Sequence, residues 1–335
     1  MKANNVVTSL AAVSLFAMVI QLTGCGSDDP EPVLPQVTTV PVSQIGETGA
    51  KSGGTIVSDG GSPVLSTGVC WSTDPQPTVD DDNTTDTVTG TSFVSDITGL
   101  TPGTQYYVRA YATNEVGTAY GNSFAFTTLV PPEPVTDFDG NVYTTVRIGS
   151  SIWTAENLKS LHYADGTTIE GVYVYDDLEA NADIYGRLYT WSAAMRGASS
   201  SNTAPSGVQG ACPEGFHVPS LLEWGNLIEF LGGEEVAGGK LKATGTVEGA
   251  TGKWYAPNTG ATNSTGFSAL PGGYRYADDG SYNVLGYTGF WWSTTRQTIY
   301  NYIVLIGHEQ ASTLALGWGN DEADSDAFSC RCVKN

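Results

Sequence analysis

Short alternating runs of apolar and polar residues, separated by turn residues, occupy positions 36–129. In the clearest run, 100–110, the side chains of Leu100, Tyr106 and Val108 share one face, because side chains alternate along an extended chain. Ser58–Gly61 is a turn between two candidate strands. Several short strands with turn residues between them predict an all-β sandwich.

The run Leu100–Ala110 resembles the strand of a fibronectin type III or Ig-like domain that begins at a tyrosine corner, with Tyr106 as the corner residue. The resemblance covers 36–129. Cys70 has no other cysteine in this segment, and it is either a buried small apolar residue or a reactive thiol. Residues 130–135 are proline-rich and predict a stiff linker to the next domain.

Positions 219–231 change to a helical period. Ser220 can cap this helix, and Glu223 follows three residues later, as in a capping box. Gly232 and Gly233 end it. The pattern predicts a helix from Pro219 to Leu231, and its apolar stripe consists of Trp224, Leu227, Ile228 and Leu231.

Two weaker patterns lie earlier in 136–335. A second helix is predicted from Tyr185 to Met195, with Leu188, Trp191 and Met195 facing inward. Asp137–Asn141 contains Asp-Gly between alternating apolar positions, which predicts a hairpin turn. The spacing of its oxygen-bearing side chains also allows a calcium loop, although the later residues of an EF-hand do not follow.

Residues 1–24 have the pattern of an export signal, because Lys2 precedes a nearly all-apolar stretch that is shorter than the roughly 20 residues of a membrane-spanning helix. The sequence from Leu22 to Cys25 resembles the bacterial lipobox, which implies cleavage before Cys25 and acylation of its thiol. The alternative is an ordinary signal peptide followed by a chance cysteine. Acyl chains on Cys25 would hold the protein on a lipid bilayer with about 0.8 kcal/mol per buried CH₂.

Residues 25–35 are predicted to be an acidic tether. The segment Gly26–Pro32 resembles the surface-export signal of Bacteroidetes lipoproteins, which implies a lipid-anchored protein exposed on the outer membrane. A solvated tether without an export role would have the same composition.

Charge excludes one class of partner. The chain has 35 Asp and Glu against 14 Lys and Arg, which gives a formal net charge of -21. Nucleic-acid binding requires a positive face that neutralises phosphates, so no nucleic-acid partner is expected. Docking on anionic lipid through a basic patch is disfavoured for the same reason.

Many segments of 136–335 together resemble the Fibrobacter succinogenes major paralogous domain, a family of bacterial surface proteins. The resemblance implies an α+β plan like that of C-type lectins or formylglycine-generating enzymes, with a few helices around small irregular antiparallel sheets. Such families have no general assigned activity. The matching segments are Asp139–Tyr143, Trp153–Leu158, Tyr185–Trp191, Cys212–Pro219, Glu223–Trp224, Gly239–Lys242, Trp254, Pro257–Asn258, Asn263–Phe267, Leu270–Arg275, Trp291–Ser293 and Cys332–Lys334.

The resemblance also implies a disulfide between Cys212 and Cys332, which an exported chain can form in an oxidising compartment. It would close a loop of about 120 residues, for which the chain-entropy model gives about 4–5 kcal/mol. Cys330 departs from the family pattern and competes for Cys212, because residues 330 and 332 of one strand point to the same face.

No familiar catalytic motif occurs in the sequence, and His162, His217 and His308 are far apart along it. We therefore expect no enzyme activity and no catalytic residue. A formylglycine-generating type of oxidoreductase is the enzymatic alternative, since Cys330 and Cys332 are close in sequence.

Ligand contacts are expected among aromatic residues in glycine-rich turns and at one residue of a lectin-like triplet. Asn258 ends Ala-Pro-Asn, which lacks the acidic first residue of a calcium-lectin triplet. No cofactor is expected, although an acidic loop could collect Ca²⁺. The candidate ligand contacts are Trp254, Asn258, Tyr274, Tyr276 and Tyr282, and the weak metal candidates are Asp321, Asp324 and Asp326.

We therefore predict a non-enzymatic binding or adhesion lipoprotein of the cell surface. Its lectin-like domain (136–335) would bind a glycan or a surface protein and would be presented on the β-sandwich (36–129) as a spacer. The alternative is a structural component of a surface assembly, which would form stable multimers.

Overall fold

The computed structural model describes residues 31–298, 300–318 and 325–335, which divide into two compact units between Leu129 and Val130. The predicted signal peptide and Cys25 lie outside the described residues. No helix of the described residues is long and apolar enough to cross a membrane.

The first unit consists of strands joined by turns. Every paired strand of this unit runs antiparallel to its neighbours. The strands are β1 (Gln36–Ser43), β2 (Gly49–Ser58), β3 (Ser66–Ser72), β4 (Asp82–Asn83), β5 (Ser92–Thr98), β6 (Gln105–Thr113), β7 (Thr118–Tyr120) and β8 (Phe124–Thr127).

Two sheets form this unit, one with the order β1-β2-β5 and the other with the order β4-β3-β6-β7, and β8 also pairs with β6. Phe93 and Ile97 of the first sheet pack in one core with Val69 and Val108 of the second. The predicted all-β sandwich is therefore confirmed. The Tyr106 hydroxyl accepts a hydrogen bond from the Thr101 amide at 3.1 Å, as expected for a tyrosine corner.

The second unit contains short strands and short helices. Its strands are β9 (Val135–Thr136), β10 (Val142–Tyr143), β11 (Thr145–Ile148), β12 (Ser151–Thr154), β13 (Val172–Tyr173), β14 (Leu188–Thr190), β15 (Phe216–His217), β16 (Tyr274–Arg275), β17 (Tyr282–Asn283), β18 (Thr288–Gln297), β19 (Tyr300–Gly307), β20 (Thr313–Trp318), β21 (Ala327–Phe328) and β22 (Val333–Lys334). Its helices are α1 (Glu179–Tyr185), α2 (Trp191–Met195), α3 (Leu221–Phe230), α4 (Glu234–Leu241) and a 3₁₀ turn at Tyr175–Asp177.

These strands form four small antiparallel sheets, with the orders β10-β9, β11-β12-β22-β15, β13-β14-β21-β16-β17 and β18-β19-β20. The third and fourth sheets share a core. On β18, Phe290 and Trp292 face a core that contains Tyr189 and Phe328, because alternate residues of a strand face opposite sides. Trp291 faces the other side, where α3 and α4 pack.

The first predicted helix is confirmed with a tighter boundary, since α3 begins at Leu221 and ends at Phe230. Both hydrogen bonds of the capping box between Ser220 and Glu223 are present. The Asp137–Asn141 hairpin is also present, joining β9 and β10.

The second predicted helix, Tyr185–Met195, is wrong. Tyr185 is the last residue of α1, Leu188–Thr190 is the strand β14, and the next helix, α2, covers only Trp191–Met195. The helical spacing was misleading because β14 pairs on both sides, and so its residues are buried in either conformation. Gly186 separates it from α1 with a φ of 79°, and a Cβ there would lie 2.6 Å from the Asn157 side chain.

Candidate functional site

Strand alternation in the five-stranded sheet β13-β14-β21-β16-β17 divides its aromatic side chains between two faces. The inner face carries Tyr189, Phe328 and Tyr274 and packs on the main core. Arg275 pairs with Tyr282 across the strands, so both lie on the outer face. That face therefore places aromatic and charged groups together.

The outer-face cluster consists of Tyr173, Tyr175, Asp177, Arg275 and Tyr282. The guanidinium carbon of Arg275 lies 4.1 Å from the ring centroid of Tyr173, a cation–π arrangement. The ring centroids of Tyr175 and Tyr282 are 5.2 Å apart, with the planes at 47°. The Tyr282 hydroxyl donates a 2.5 Å hydrogen bond to Asp177 Oδ1. The cluster is thus held by contacts among its own members.

Its backbone support is tightly constrained. Asp176 and Asp177 have φ values of 56° and 54°, which non-glycine residues rarely adopt. Gly273, with a φ of 60°, precedes β16, and a Cβ at this position would lie 2.3 Å from the Asn283 carbonyl oxygen. A substitution at Gly273 would therefore push β16 and β17 apart.

The cluster contains both a hydrogen-bond acceptor and a cation. Burial and the hydrogen bond to Asp177 raise the pKa of Tyr282 to about 12, against a smaller opposing effect of Arg275. In the described part of the chain, Arg275 forms no ion pair with a carboxylate. The site can therefore offer aromatic faces together with carboxylate and guanidinium hydrogen bonds to a ligand.

The five predicted ligand contacts fall in different environments. Tyr282 lies in the outer-face cluster. Tyr274 points inward, with its ring 5.4 Å from that of Trp318 and 5.5 Å from that of Phe328. Tyr276 follows β16 and is 36% exposed. Tyr274 and Tyr282 are both half-buried, but Tyr274 packs against the main core and Tyr282 packs against the small core on the opposite face of the sheet.

The prediction that Trp254 is exposed is wrong. Its side chain is fully buried, and its indole N–H donates to the Ala269 carbonyl at 3.0 Å. Asn258 is also buried, and its amide donates to the carbonyls of Ala243 and Gly245. These hydrogen bonds attach the loop that contains both residues to the neighbouring backbone.

The predicted acidic metal site lies largely outside the described residues, since only Asp326 of its three candidates is described. Asp326 is buried, where its carboxylate accepts hydrogen bonds from the Trp318 indole and the Ala277 amide. Among the described residues, no three His, Cys, Asp or Glu side chains are grouped as metal ligands.

A disulfide joins Cys212 and Cys332, whose Cα atoms are 5.9 Å apart. This is the pairing that the family resemblance implied. Cys330 is a buried free thiol whose pKa is strongly raised by burial. Cys70 is likewise buried, and burial raises the pKa of this thiol to about 11. Both thiols are therefore held in the unreactive protonated form.

Two of the histidines are held by carboxylates. His217 is buried between Glu223 and Asn335, with Nε2 2.7 Å from Glu223 Oε1. Burial is the largest single effect and lowers the pKa of His217. The hydrogen bond to Glu223, the charge of Glu223 and the hydrogen bond to Asn335 together outweigh it, so the pKa lies above its ordinary value of 6.5. His162 Nδ1 lies 2.5 Å from Asp139 Oδ1 near the surface.

A second aromatic group, the loop cluster, consists of Tyr255, Tyr287 and His308. The tyrosine rings are 4.5 Å apart, and the Tyr287 and His308 rings are 5.1 Å apart. Tyr287 is 44% exposed. Sequence reasoning missed this cluster and also Tyr173, Tyr175 and Arg275, since no local pattern signals contacts between distant loops.

The segments that carry the family resemblance meet in a buried polar network. Asn157 Oδ1 accepts from the Trp291 indole at 2.8 Å and from Arg331 Nε at 2.6 Å. Arg331 also donates to the carbonyls of Thr154, Phe267 and Ser268. These residues therefore maintain the fold of the second unit.

The fold thus joins a β-sandwich to a second unit of small antiparallel sheets. The model of the Fibrobacter succinogenes major domain matches residues 146–334. Since this match spans more than half of the chain, the protein belongs to that family. No curated protein sequence matches the chain significantly.

Solved structures similar to the chain include fibronectin type III domains. The sensor domain of the anti-sigma factor RsgI4 in Pseudobacteroides cellulosolvens is 18% identical, with 29% of this chain and 97% of that chain covered and a TM-score of 0.22. The domain of human fibronectin type III domain containing protein 3 is 17% identical, with 31% and 93% covered and a TM-score of 0.21.

Proposed function

We propose that this protein is a lipid-anchored, cell-surface binding protein without enzymatic activity, and that its second unit binds a glycan through the outer-face cluster. The proposal rests on one observation: two tyrosines and an arginine share one face of a sheet, and the 3₁₀ turn at Tyr175–Asp177 packs a buried tyrosine and a carboxylate against them. Within the described residues this arginine forms no ion pair. Sugars present both C–H faces that stack on aromatic rings and hydroxyls that pair with such polar groups.

The sequence analysis left a surface protein as the alternative ligand. Stable protein interfaces bury roughly 800 Å² on each partner around apolar anchors. The outer-face cluster is a small group of polar and aromatic side chains, which suits a sugar better. We also propose a C-type-lectin-like plan for the second unit, since short helices surround small antiparallel sheets and the late strand β22 pairs with the early strand β12.

A glycan array probed with the mature chain tests the ligand class. We expect binding to one glycan group, and we expect Arg275→Ala to weaken it, because this substitution removes both a donor and the cation over Tyr173. Tyr300→Ala removes a 45% exposed tyrosine from β19, outside the proposed site, and serves as the matched control. Equal binding by Arg275→Ala and the parent would refute this site, and capture of a protein alone would refute the glycan assignment.

The proposed lipid anchor and the proposed location on the outer membrane are both inferred from the sequence. We propose that Cys25 is acylated and that the chain is exposed on the outer membrane. Metabolic labelling with palmitate should mark the parent chain but not Cys25→Ala, and external protease should remove the second unit from intact cells. An unlabelled parent chain would refute the lipid anchor, and protection from protease would refute surface exposure.

A further inference from the structure

The loop cluster and the outer-face cluster are joined by a single turn. Tyr282 belongs to the outer-face cluster, and Tyr287 belongs to the loop cluster. Five residue steps span at most about 18 Å, so the two clusters are close enough for one elongated ligand to reach both.

Hydrogen bonds hold this turn to both clusters. The Leu285 amide donates to the Tyr175 hydroxyl at 3.4 Å. The Gly286 carbonyl accepts from the Tyr255 amide at 2.8 Å. A Cβ at Gly286 would lie 2.5 Å from the Tyr255 ring, so glycine is required where the ring crosses the backbone.

The turn also has an unusual backbone. Val284 has a φ of 54°, a rare conformation for a β-branched residue. Strained residues of this kind persist only where the surrounding structure fixes them, and they are common in ligand-binding segments. The strain and the hydrogen bonds together hold Tyr282 and Tyr287 in fixed relative positions.

We infer that the two clusters are subsites for one neutral polysaccharide chain, an inference that rests on the proposed glycan-binding function. Each cluster offers tyrosine faces to a different sugar residue, and the turn sets their spacing. When two sugar residues belong to one chain, binding of the first holds the second close to its subsite, so the second contact forms within the complex and strengthens binding. Affinity should therefore rise with the length of the oligosaccharide.

Local charge favours a neutral sugar. In the outer-face cluster, the carboxylate of Asp177 balances the guanidinium of Arg275, so this cluster has no net positive charge that would favour an anionic sugar. At the loop cluster, the Glu248 carboxylate accepts a hydrogen bond from the Ala256 amide, next to Tyr255 in the chain. The Glu309 carboxylate lies 3.9 Å from His308 Nε2. These carboxylates would repel the carboxylate of a uronic acid, whereas sugar hydroxyls can donate hydrogen bonds to them.

Calorimetric titration of the mature chain with neutral β-glucan, β-mannan and xylan oligosaccharides, from monosaccharide to hexasaccharide, tests this inference. Polygalacturonate serves as the anionic probe. Within the oligosaccharide series that binds, we expect the hexasaccharide to bind about tenfold or more tightly than the disaccharide. Tyr287→Ala should reduce hexasaccharide affinity to that of the wild-type disaccharide, while Tyr287→Phe should retain the gain.

Thermal denaturation of each variant shows whether it is folded, and Tyr300→Ala should leave all affinities unchanged. Equal affinity for disaccharide and hexasaccharide, or full affinity in Tyr287→Ala, overturns the second subsite and leaves the proposed function intact. Tighter binding of polygalacturonate than of the neutral oligosaccharides overturns the assignment of a neutral ligand. If none of the oligosaccharides binds, both the glycan-binding function and this inference are overturned.

Discussion

Replacement of Arg331 by Met tests the buried network of the second unit. The guanidinium is completely buried and donates to four acceptors, of which the carbonyls of Thr154 and Phe267 are themselves buried. An unsatisfied buried acceptor costs about 1–3 kcal/mol, so these two carbonyls cost about 2–6 kcal/mol. Removal of a buried charge offsets a part of that cost, and we expect a net loss of about 3 kcal/mol.

For a unit of this size, 1 kcal/mol corresponds to about 2–4 °C, so the Tm of the second unit should fall by about 6–12 °C. Tryptophan fluorescence follows this transition, because all tryptophans except Trp71 lie in the second unit. Arg331→Lys should be intermediate, since it keeps the charge but loses the planar fork of donors.

Lys334→Met is the matched control, because it also removes one positive charge, but from an exposed side chain of β22. Its Tm should stay close to that of the parent. If Arg331→Met melts within about 2 °C of the parent, the network does not stabilise the fold and the reasoning from buried acceptors fails.

Three further outcomes are expected. Replacing both Cys212 and Cys332 by Ala should lower the free energy of unfolding by about 4–5 kcal/mol in urea titrations, because the cross-link spans a sequence separation of 120; a loss below about 1 kcal/mol would contradict this entropic account. Because the pKa of His217 is higher in the folded than in the unfolded chain, protonation of His217 adds to the free energy of unfolding. This contribution is complete below pH 6.5 and is lost as the pH rises through the pKa of the folded state. The Tm difference between the parent and His217→Gln should accordingly shrink from pH 6 to 9, and a constant difference would show that protonation is not linked to folding. Iodoacetamide should modify Cys330 only after unfolding, because burial holds this thiol protonated; mass spectrometry that finds rapid labelling of the native chain would contradict its burial.

Local patterns in the sequence predicted elements whose signals lie within a few residues. The capping box of Ser220 and Glu223 depends on a three-residue spacing, and the tyrosine corner depends on Tyr106 and its upstream backbone. The disulfide from Cys212 to Cys332 came from the family resemblance, because strand geometry alone left Cys330 as a competitor for Cys212.

The candidate site could be predicted only in part. Tyr282 was identified, but Trp254 was misplaced, because glycine-rich turns that look exposed in the sequence fold over the core. Tyr173 and Arg275 were missed because they come together only when β13 and β16 join the same sheet. Two-residue strands have too little alternation to reveal which face a side chain occupies.

The amino-acid sequence by itself determined the division into two domains, the sandwich, the main helix and the family, since each is encoded in short-range spacing or in ordered blocks. Only the tertiary structure decided which aromatic residues are buried and which form the two clusters. The physical reason is that pairing between strands distant in sequence assigns each side chain to a face, and that pairing is a property of the whole fold.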